Sequence, residues 1–250
     1  MTDSYDVLAR LKDLQDRSER RYMHTESGFL NEEEQTEALR RFPESPLIRY
    51  DGGYPGARKK KVIFLRDEED DFSDIVCISS RADQRFRSIG HRDILGSIMS
   101  LQVDRHSFGD FWIEGDSIYL YTSKAMGEFF CDHLLRIGKL SVSFSLIEEH
   151  PVQTFYTRAF EKVVSSERLD ALVASLANVS RSEAQRLIRQ EKVQVNHHSL
   201  VKPDELCDND STISIRGCGR FTYNGVIRRT RRDRIVVGFT QDIQGKEQVR

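Results

Sequence analysis

Residues 74–147 contain the most restrictive pattern in the chain, a regular alternation between strand-like and helix-like segments. Strand-like segments show period-two alternation or a short apolar run, and helix-like segments have apolar residues at spacings of three and four. The strand-like segments are 74–80, 109–115, 117–123 and 140–147. The helix-like segments are 91–101 and 124–138. The resulting order is strand, helix, strand, strand, helix, strand.

This βαββαβ order is that of the ferredoxin-like plait, which RNA-recognition domains share. We therefore predict an α+β protein with a central ferredoxin-like (RRM-like) plait over 74–160. The strand signature that RNA-recognition domains use to stack bases, K/R-G-F/Y-G/A-F-V-x-F/Y, is absent. The aromatic side chains of "DFWIEGDSIYLY" (110–121) are accordingly interpreted as core.

The segment before the plait is predicted to be an N-terminal helical/αβ subdomain over 1–73. Residues 4–24 have the apolar spacing of a helix, and Asn31 is a candidate N-cap for a second one, with acids in its first turn. A Pro/Gly-rich connection, "YDGGYPGARKKK" (50–61), then leads into the strand-like "VIFL".

Composition excludes several classes of protein. Charged residues make up 31% of the 250 positions, and no apolar run approaches the length of a membrane span. The first residues lack the features of a secretory signal, so we expect a cytoplasmic location and no membrane partner. The four cysteines are scattered without zinc-ligand spacing, and no phosphate-binding loop is present. No metal or cofactor is predicted.

The charge is distributed unevenly along the chain. Residues 161–234 hold 14 Lys and Arg against 10 Asp and Glu, although the whole chain has a net charge of −2. Seven arginines lie in 216–234 with only Asp233 to oppose them. This asymmetry favours a nucleic-acid partner for the C-terminal part.

Residues 166–196 are predicted to form two helices followed by a strand. Ser180 and Glu183 form an S-x-x-E capping box for the second helix. Arg181 lies in its first turn, where the free backbone N–H groups attract anions and a guanidinium would complete a phosphate clamp. Alternatively, Arg181 is one more solvated surface residue.

This stretch resembles the S4-type RNA-binding domain, whose pattern is R-L-D, S-R-x-x-A-x-x-L-I, V-x-V-N and D-x-I-x-I. The chain has these elements at Arg168–Asp170, Ser180–Ile188, Val193–Asn196 and Asp210–Ile215. Glu191, His197-His198 and Asn209 depart from it at positions where glycine is usual. The resemblance implies an RNA-binding domain over 161–234, followed by a tail over 235–250.

The candidate RNA contacts come from this resemblance and from the basic segments. The S4-type contacts and those of the arginine-rich segment are Arg168, Ser180, Arg181, Arg186, Arg189, Lys192, Arg216 and Arg220. Secondary contacts are predicted in two further basic segments, at Arg58, Lys59, Lys60, Lys61, Arg81 and Arg85.

Taken whole, the chain resembles the bacterial YlmH family, also called RqcP. The marks are "GFLNEEEQ", "GGYPGARKKKVIF", "HRDILGSIMSL", "DRHSFGDFWI" and the S4-type module. The resemblance implies a non-catalytic factor that binds rRNA of the large ribosomal subunit and its tRNA. It also implies that the factor assists an NEMF-type protein in adding alanine tails to stalled nascent chains.

Two alternatives remain at this point. An RNA-modifying enzyme would use the nearest acid/base cluster in the plait, although no nucleophile or cofactor loop accompanies it. A cell-division or photosystem-related scaffold would rely on the acidic face at 66–74. The residues of the acid/base cluster are Asp93, Asp104, Arg105, His106 and Asp110.

Overall fold

The structure is a computed structural model that describes residues 2–82, 89–149, 151–153, 155–196, 198–199, 202–231 and 233–244. The candidate contact Arg85 lies outside the described residues. The chain divides into two compact units, Met1–Gln153 and Thr154–Arg250. Within the described part, every helix is too short or too polar to cross a bilayer.

The first unit combines the N-terminal segment with the plait. Its helices are α1 (Thr2–Arg21), α2 (Glu32–Arg41), α3 (His91–Ser100) and α4 (Lys124–His133). Its first strands are β1 (Thr25–Glu26), β2 (Ile48–Asp51), β3 (Lys61–Phe64) and β4 (Ile75–Arg81). The others are β5 (Phe108–Glu114), β6 (Ser117–Ser123), β7 (Arg136–Ile137), β8 (Leu140–Ser141) and β9 (Ser145–Ile147).

The N-terminal segment is built from α1, α2 and a small sheet with the order β1-β3-β2. The predicted cap at Asn31 is present: its side chain accepts hydrogen bonds from Glu33 and Glu34, and the Glu34 carboxylate accepts one from the Asn31 backbone. Reciprocal capping and three acids in the first turn explain why the helix begins here. Leu11 and Phe42 are buried in the core that the two helices share with the sheet.

The plait has the sheet order β5-β6-β4-β9, with antiparallel neighbours. This is the ferredoxin-like topology, and the predicted fold class is confirmed. Two boundaries differ from the prediction. The helix expected to reach Gly138 ends at His133, and Gly138 instead has a φ of +58° in the tight turn between β7 and β8. The last strand is correspondingly short.

Both faces of the plait sheet are covered by apolar side chains. On one face α3 and α4 pack with Ile94 and Phe130 against the strands. On the other, Phe29 and Tyr54 from the N-terminal segment pack with Trp112 and Tyr121. The aromatic side chains interpreted as core are indeed buried at Phe111, Trp112 and Tyr121, with Tyr119 partly buried.

The second unit places two helices against one large sheet. The helices are α5 (Leu169–Ala177) and α6 (Arg181–Arg189). The strands are β10 (Phe155–Val164), β11 (Val193–Val195), β12 (His198–Ser199), β13 (Thr212–Ile215), β14 (Gly219–Arg229) and β15 (Ile235–Gln244). Their order in the sheet is β10-β15-β14-β13-β11-β12.

The predicted outer boundaries of this unit are wrong at both ends. Residues 155–160, assigned to the plait, form part of β10, and residues 235–244, assigned to a tail, form β15. β15 lies between β10 and β14, and its residues Ile235–Phe239 are all buried. The sequence of a central strand that is covered on both faces is a continuous apolar run, and "IVVGF" is such a run.

The two helices of this unit end in the same way, with a residue in the left-handed conformation. Asn178 has a φ of 55° after α5, and Glu191 has a φ of 55° after α6. The backbone N–H of Lys192 donates to Leu187 and that of Glu191 to Ile188, which is the Schellman motif. Asparagine tolerates this conformation, but glutamate does so only with strain. Position 191 is therefore better suited to glycine than to glutamate.

We predict that Glu191→Gly stabilises the second unit by roughly 0.5 to 1 kcal/mol, because glycine removes the left-handed strain. Thermal unfolding followed by circular dichroism measures the change. The single tryptophan, Trp112, lies in the first unit, so its fluorescence transition should stay unchanged.

Gln190→Gly is the matched control, since Gln190 has an ordinary φ of −87°. Glycine there should destabilise by up to about 1 kcal/mol. Glu191→Gln keeps the strain and removes only the charge, so it should leave stability near the wild-type value. Equal losses for the two glycine variants would contradict the strain argument.

Candidate nucleic-acid interface

The start of α5 and the start of α6 are joined through one buried carboxylate, that of Asp170. Its side chain is 0% exposed. Asp170 Oδ1 accepts from Arg181 Nη2 at 2.9 Å and Asp170 Oδ2 from Gln185 Nε2 at 2.8 Å. Arg168 Nε lies 3.4 Å from Oδ1. Both arginines of the S4-type motif are thus held by the aspartate of the same motif.

These contacts govern the protonation of Asp170. Burial by itself raises the pKa of a carboxyl, but hydrogen bonds from Arg181, Gln185 and Arg168 outweigh burial and lower the pKa of Asp170 to about 2. The carboxylate is therefore ionised at every physiological pH. It supplies a fixed negative charge directly behind the two guanidinium groups.

The outer sides of the two guanidinium groups remain accessible. The Arg181 side chain is 46% exposed and the Arg168 side chain 39%. A guanidinium has five N–H donors, and within the described residues Arg181 donates to Asp170 through Nη2 alone, which leaves further donors for a ligand. Arg181 is consequently not an ordinary solvated residue: it is oriented from behind and exposed in front.

The N-cap of α6 differs in part from the predicted capping box. Ser180 Oγ accepts from the Glu183 backbone N–H at 3.2 Å, as expected. The Glu183 carboxylate binds Arg186 instead, with Glu183 Oε1 2.6 Å from Arg186 Nη2. Only half of the reciprocal box is formed, and part of the charge of Arg186 is neutralised.

The remaining candidates of the S4-type motif and the basic segment lie at the C-terminal end of α6 and in the hairpin beyond it. Arg189 is exposed in the last turn, and Lys192 follows the left-handed Glu191. The Arg216 backbone N–H donates to the Lys192 carbonyl at 2.8 Å, which brings these two residues together. Arg220 lies opposite Ser214 on the β13–β14 hairpin.

Three of the described arginines beyond residue 227 have partners within the second unit. Arg228 lies 2.8 Å from Glu161 on β10, and Arg229 lies 2.9 Å from Asp233. Arg234 Nη2 is 3.5 Å from the Val163 carbonyl. Charge counting along the sequence therefore overstates how much free positive charge this segment offers.

Among the secondary candidates, Lys61 is wrong as an RNA contact. It is 3% exposed, and its ammonium lies 2.7 Å from both Glu26 Oε1 and Asp74 Oδ1. The Lys59 ammonium donates to the carbonyls of Arg105 and Phe108, and burial lowers the pKa of Lys59 to about 8. These two lysines hold the fold together.

The other secondary candidates remain accessible to different degrees. Arg58 and Lys60 are partly buried, and their backbones are bound by Asp110 and Leu30. Arg81 is exposed at the end of β4. RNA contact at these positions stays a prediction.

The acid/base cluster considered for an enzyme has structural partners. Asp93 accepts from the Gly90 backbone at the start of α3, and Asp104 accepts from the His106 backbone. Asp110 receives the Tyr54 hydroxyl at 2.7 Å and the backbone N–H groups of Arg58 and Lys59. Each carboxylate thus satisfies donors of a loop or helix start.

His106 lies between two carboxylates. Its Nε2 is 2.8 Å from Glu34 and its Nδ1 is 2.9 Å from Asp104. The hydrogen bond with Glu34 raises the pKa of His106, burial opposes this, and Asp104 adds to the rise. The imidazole therefore ties α2 to the turn before β5.

Comparisons with known proteins address both units. Residues 67–154 match the family model "Putative RNA-binding domain in YlmH", and residues 167–208 match the S4 domain. "Ribosome-associated protein quality control protein P2" of Bacillus subtilis (strain 168) is 29% identical over 198 residues, covering 77% of each chain. The solved "Cell division protein ylmH from Streptococcus pneumoniae" aligns with a TM-score of 0.47 and 16% identity, over 59% of this chain and 92% of that one.

The chain is thus an RNA-binding protein of the S4-domain class, with the S4 domain in its second unit. The domain that is similar to the RNA-binding domain of YlmH precedes it, and 77% of the chain is similar to the Bacillus subtilis quality control protein. The family resemblance drawn from the motifs is confirmed.

We predict that Asp170→Asn lowers the free energy of unfolding of the second unit by about 2 kcal/mol at pH 7, because charged hydrogen bonds are lost. A carboxyl with a depressed pKa stabilises the fold above its usual value near 4, and this contribution is lost as the pH falls toward 2. The difference between wild type and variant should therefore shrink on acidification. Urea titrations followed by circular dichroism at several pH values measure it.

Asp204→Asn removes an exposed carboxylate from the same unit and should change stability by less than about 0.5 kcal/mol. A gap for Asp170→Asn that stays constant from pH 7 to pH 2 would contradict the assignment.

Proposed function

We propose that the protein is a non-catalytic, cytoplasmic factor that binds rRNA of the large ribosomal subunit and the tRNA held on it. In this role it assists an NEMF-type protein in adding C-terminal alanine tails to stalled nascent chains. The supporting observation is the pair of exposed guanidinium groups, Arg168 and Arg181, that the buried Asp170 orients from behind. The printed name of the Bacillus subtilis relative, a ribosome-associated quality control protein, favours this setting.

The geometry suits phosphate oxygens on a folded RNA. A guanidinium offers two parallel N–H groups to a phosphate, and a pre-oriented one loses little rotamer freedom on binding. Ser180 and the start of α6 add the positive end of a helix. Because folded RNA is recognised mainly through its shape and backbone, a rigid set of phosphate contacts is the appropriate device.

The interface extends along α6 toward the hairpin. Arg181 and Arg189 are eight residues apart on the helix, which corresponds to roughly 12 Å of rise. Lys192 and Arg216, joined through their backbones, continue the positive surface beyond the helix end. We infer a contact with several consecutive phosphates, to which Arg186 and Arg220 contribute less because Glu183 holds the former and the latter is partly buried.

The hydrogen bonds that the acid/base cluster makes within the fold support a non-catalytic role. Asp93, Asp104 and Asp110 each accept backbone donors of the fold, and His106 is held between two carboxylates.

The variant Arg181→Lys tests the proposal. Lysine retains the charge that Asp170 needs but lacks the planar fork, so the fold should persist and RNA binding should weaken about tenfold. Co-sedimentation with purified large subunits at increasing salt measures this, together with the recovery of alanine-tailed reporter chains in cells lacking the protein.

Arg228→Lys is the matched control, because Arg228 is also exposed and paired with a carboxylate, Glu161. It should bind large subunits like the wild type. If both variants bind equally well, or if modified nucleotides disappear from rRNA when the protein is deleted, the proposal is wrong.

A further inference from the structure

The helix α1 carries a stripe of arginines that the S4-type site does not use. Arg10, Arg17 and Arg21 recur at spacings of seven and four, so they lie on one side of the helix. All three are exposed, and none has a hydrogen bond or an ion pair within the part of the chain that the structure describes. By contrast, Lys12 pairs with Asp16 at 2.8 Å, and Arg20 Nε donates to the Asp16 carbonyl.

The stripe borders a groove between α1 and the segment that begins with β1. Two cavities of about 330 and 290 Å³ follow one another along the helix and share Asp13 and Arg17. Glu26 also lines the first cavity, and its carboxylate shares the buried Lys61 with Asp74, each at 2.7 Å. Among the described residues, two lining carboxylates, Asp13 and Glu26, oppose four arginines: Arg10, Arg17, Arg20 and Arg21.

An exposed aromatic ring lies directly after the stripe. Tyr22 is 68% exposed and has a φ of 48°, a left-handed conformation that turns the chain sharply at the end of α1. The Arg66 guanidinium, which pairs with Asp67 at 2.7 Å, lies over one face of the ring at 6.0 Å from its centre. Proteins that bind single-stranded nucleic acids combine exposed aromatic rings with nearby cations. The cations contact the phosphates, and a base stacks on the ring.

We propose that this α1 groove is a second nucleic-acid site, which binds single-stranded RNA. The phosphates lie on Arg10, Arg17 and Arg21, and one base stacks on Tyr22. A single strand is favoured over a duplex because stacking on a side chain requires an unpaired base. The site lies entirely in the first unit and does not depend on the function proposed for the second.

The test uses the full chain and a ten-nucleotide oligouridine that contains 4-thiouridine. The triple variant Arg10→Gln, Arg17→Gln, Arg21→Gln should bind about tenfold more weakly. Its slope of log affinity against log salt should fall by about 2, because each single-strand phosphate contact contributes about 0.7. Tyr22→Ala should weaken binding about tenfold without changing the slope, since stacking releases no counterions.

The matched control removes the same charge from other exposed positions of the first unit, with Lys12→Gln, Lys124→Gln and Arg136→Gln. It should bind oligouridine like the wild type, and the photo-crosslink should map to the peptide that contains Tyr22. Equal losses in both triple variants, crosslinks confined to 154–250, or binding to anionic phosphatidylglycerol vesicles but not to oligouridine would each overturn the proposal. Large-subunit co-sedimentation of the Arg181→Lys variant reports on the second unit separately.

Discussion

The buried carboxylate of Asp170 is the interaction on which the second unit depends. An ionised group that is removed from water needs compensating partners, and Arg181, Gln185 and Arg168 provide them. The same negative charge offsets an unfavourable interaction at the start of α6, where the positive charge of Arg181 lies near the positive end of the helix dipole. The spacing between the R-L-D and S-R elements is thereby explained: both must reach one carboxylate.

The first unit is organised by buried polar contacts of a different kind. Lys61 binds Glu26 and Asp74, which lie on opposite sides of it in the sequence, and Asp110 fixes the loop that carries Tyr54. These ties hold the N-terminal segment over one face of the plait sheet. The face that RNA-recognition domains use for stacking is therefore closed by Phe29 and Tyr54. RNA binding by this unit would need another surface, and α1 offers one.

Local patterns predicted much of this structure. The order of elements in the plait, the cap at Asn31 and the burial of Trp112 and Tyr121 follow from periodicity and capping, which depend on neighbouring residues only. The S4-type motif likewise identified Arg168 and Arg181 as candidate RNA contacts. It also marked Glu191 as a departure from a usual glycine, and the left-handed φ of Glu191 explains why glycine is usual there.

Long-range pairing could not be predicted in this way. The burial of Lys61 depends on Glu26, far back in the chain, so all four basic residues of the run were predicted to contact RNA. The role of Asp170 also requires two helices to be packed before it becomes visible. β15 was missed for a related reason: a short apolar run does not reveal that two partners will flank it.

The position of β15 has a consequence for how the second unit assembles. Val164 pairs with Ile235 and Phe155 with Gln244, so both helices and four strands lie within the loop that this pairing closes. Contacts between α5 and α6 and within the β13–β14 hairpin are local and form quickly, whereas closing a long loop is slow. The charged surface around Asp170 can thus mature first. Until β15 arrives, the edge of β14 stays open to other chains, which makes this step the one most sensitive to protein concentration.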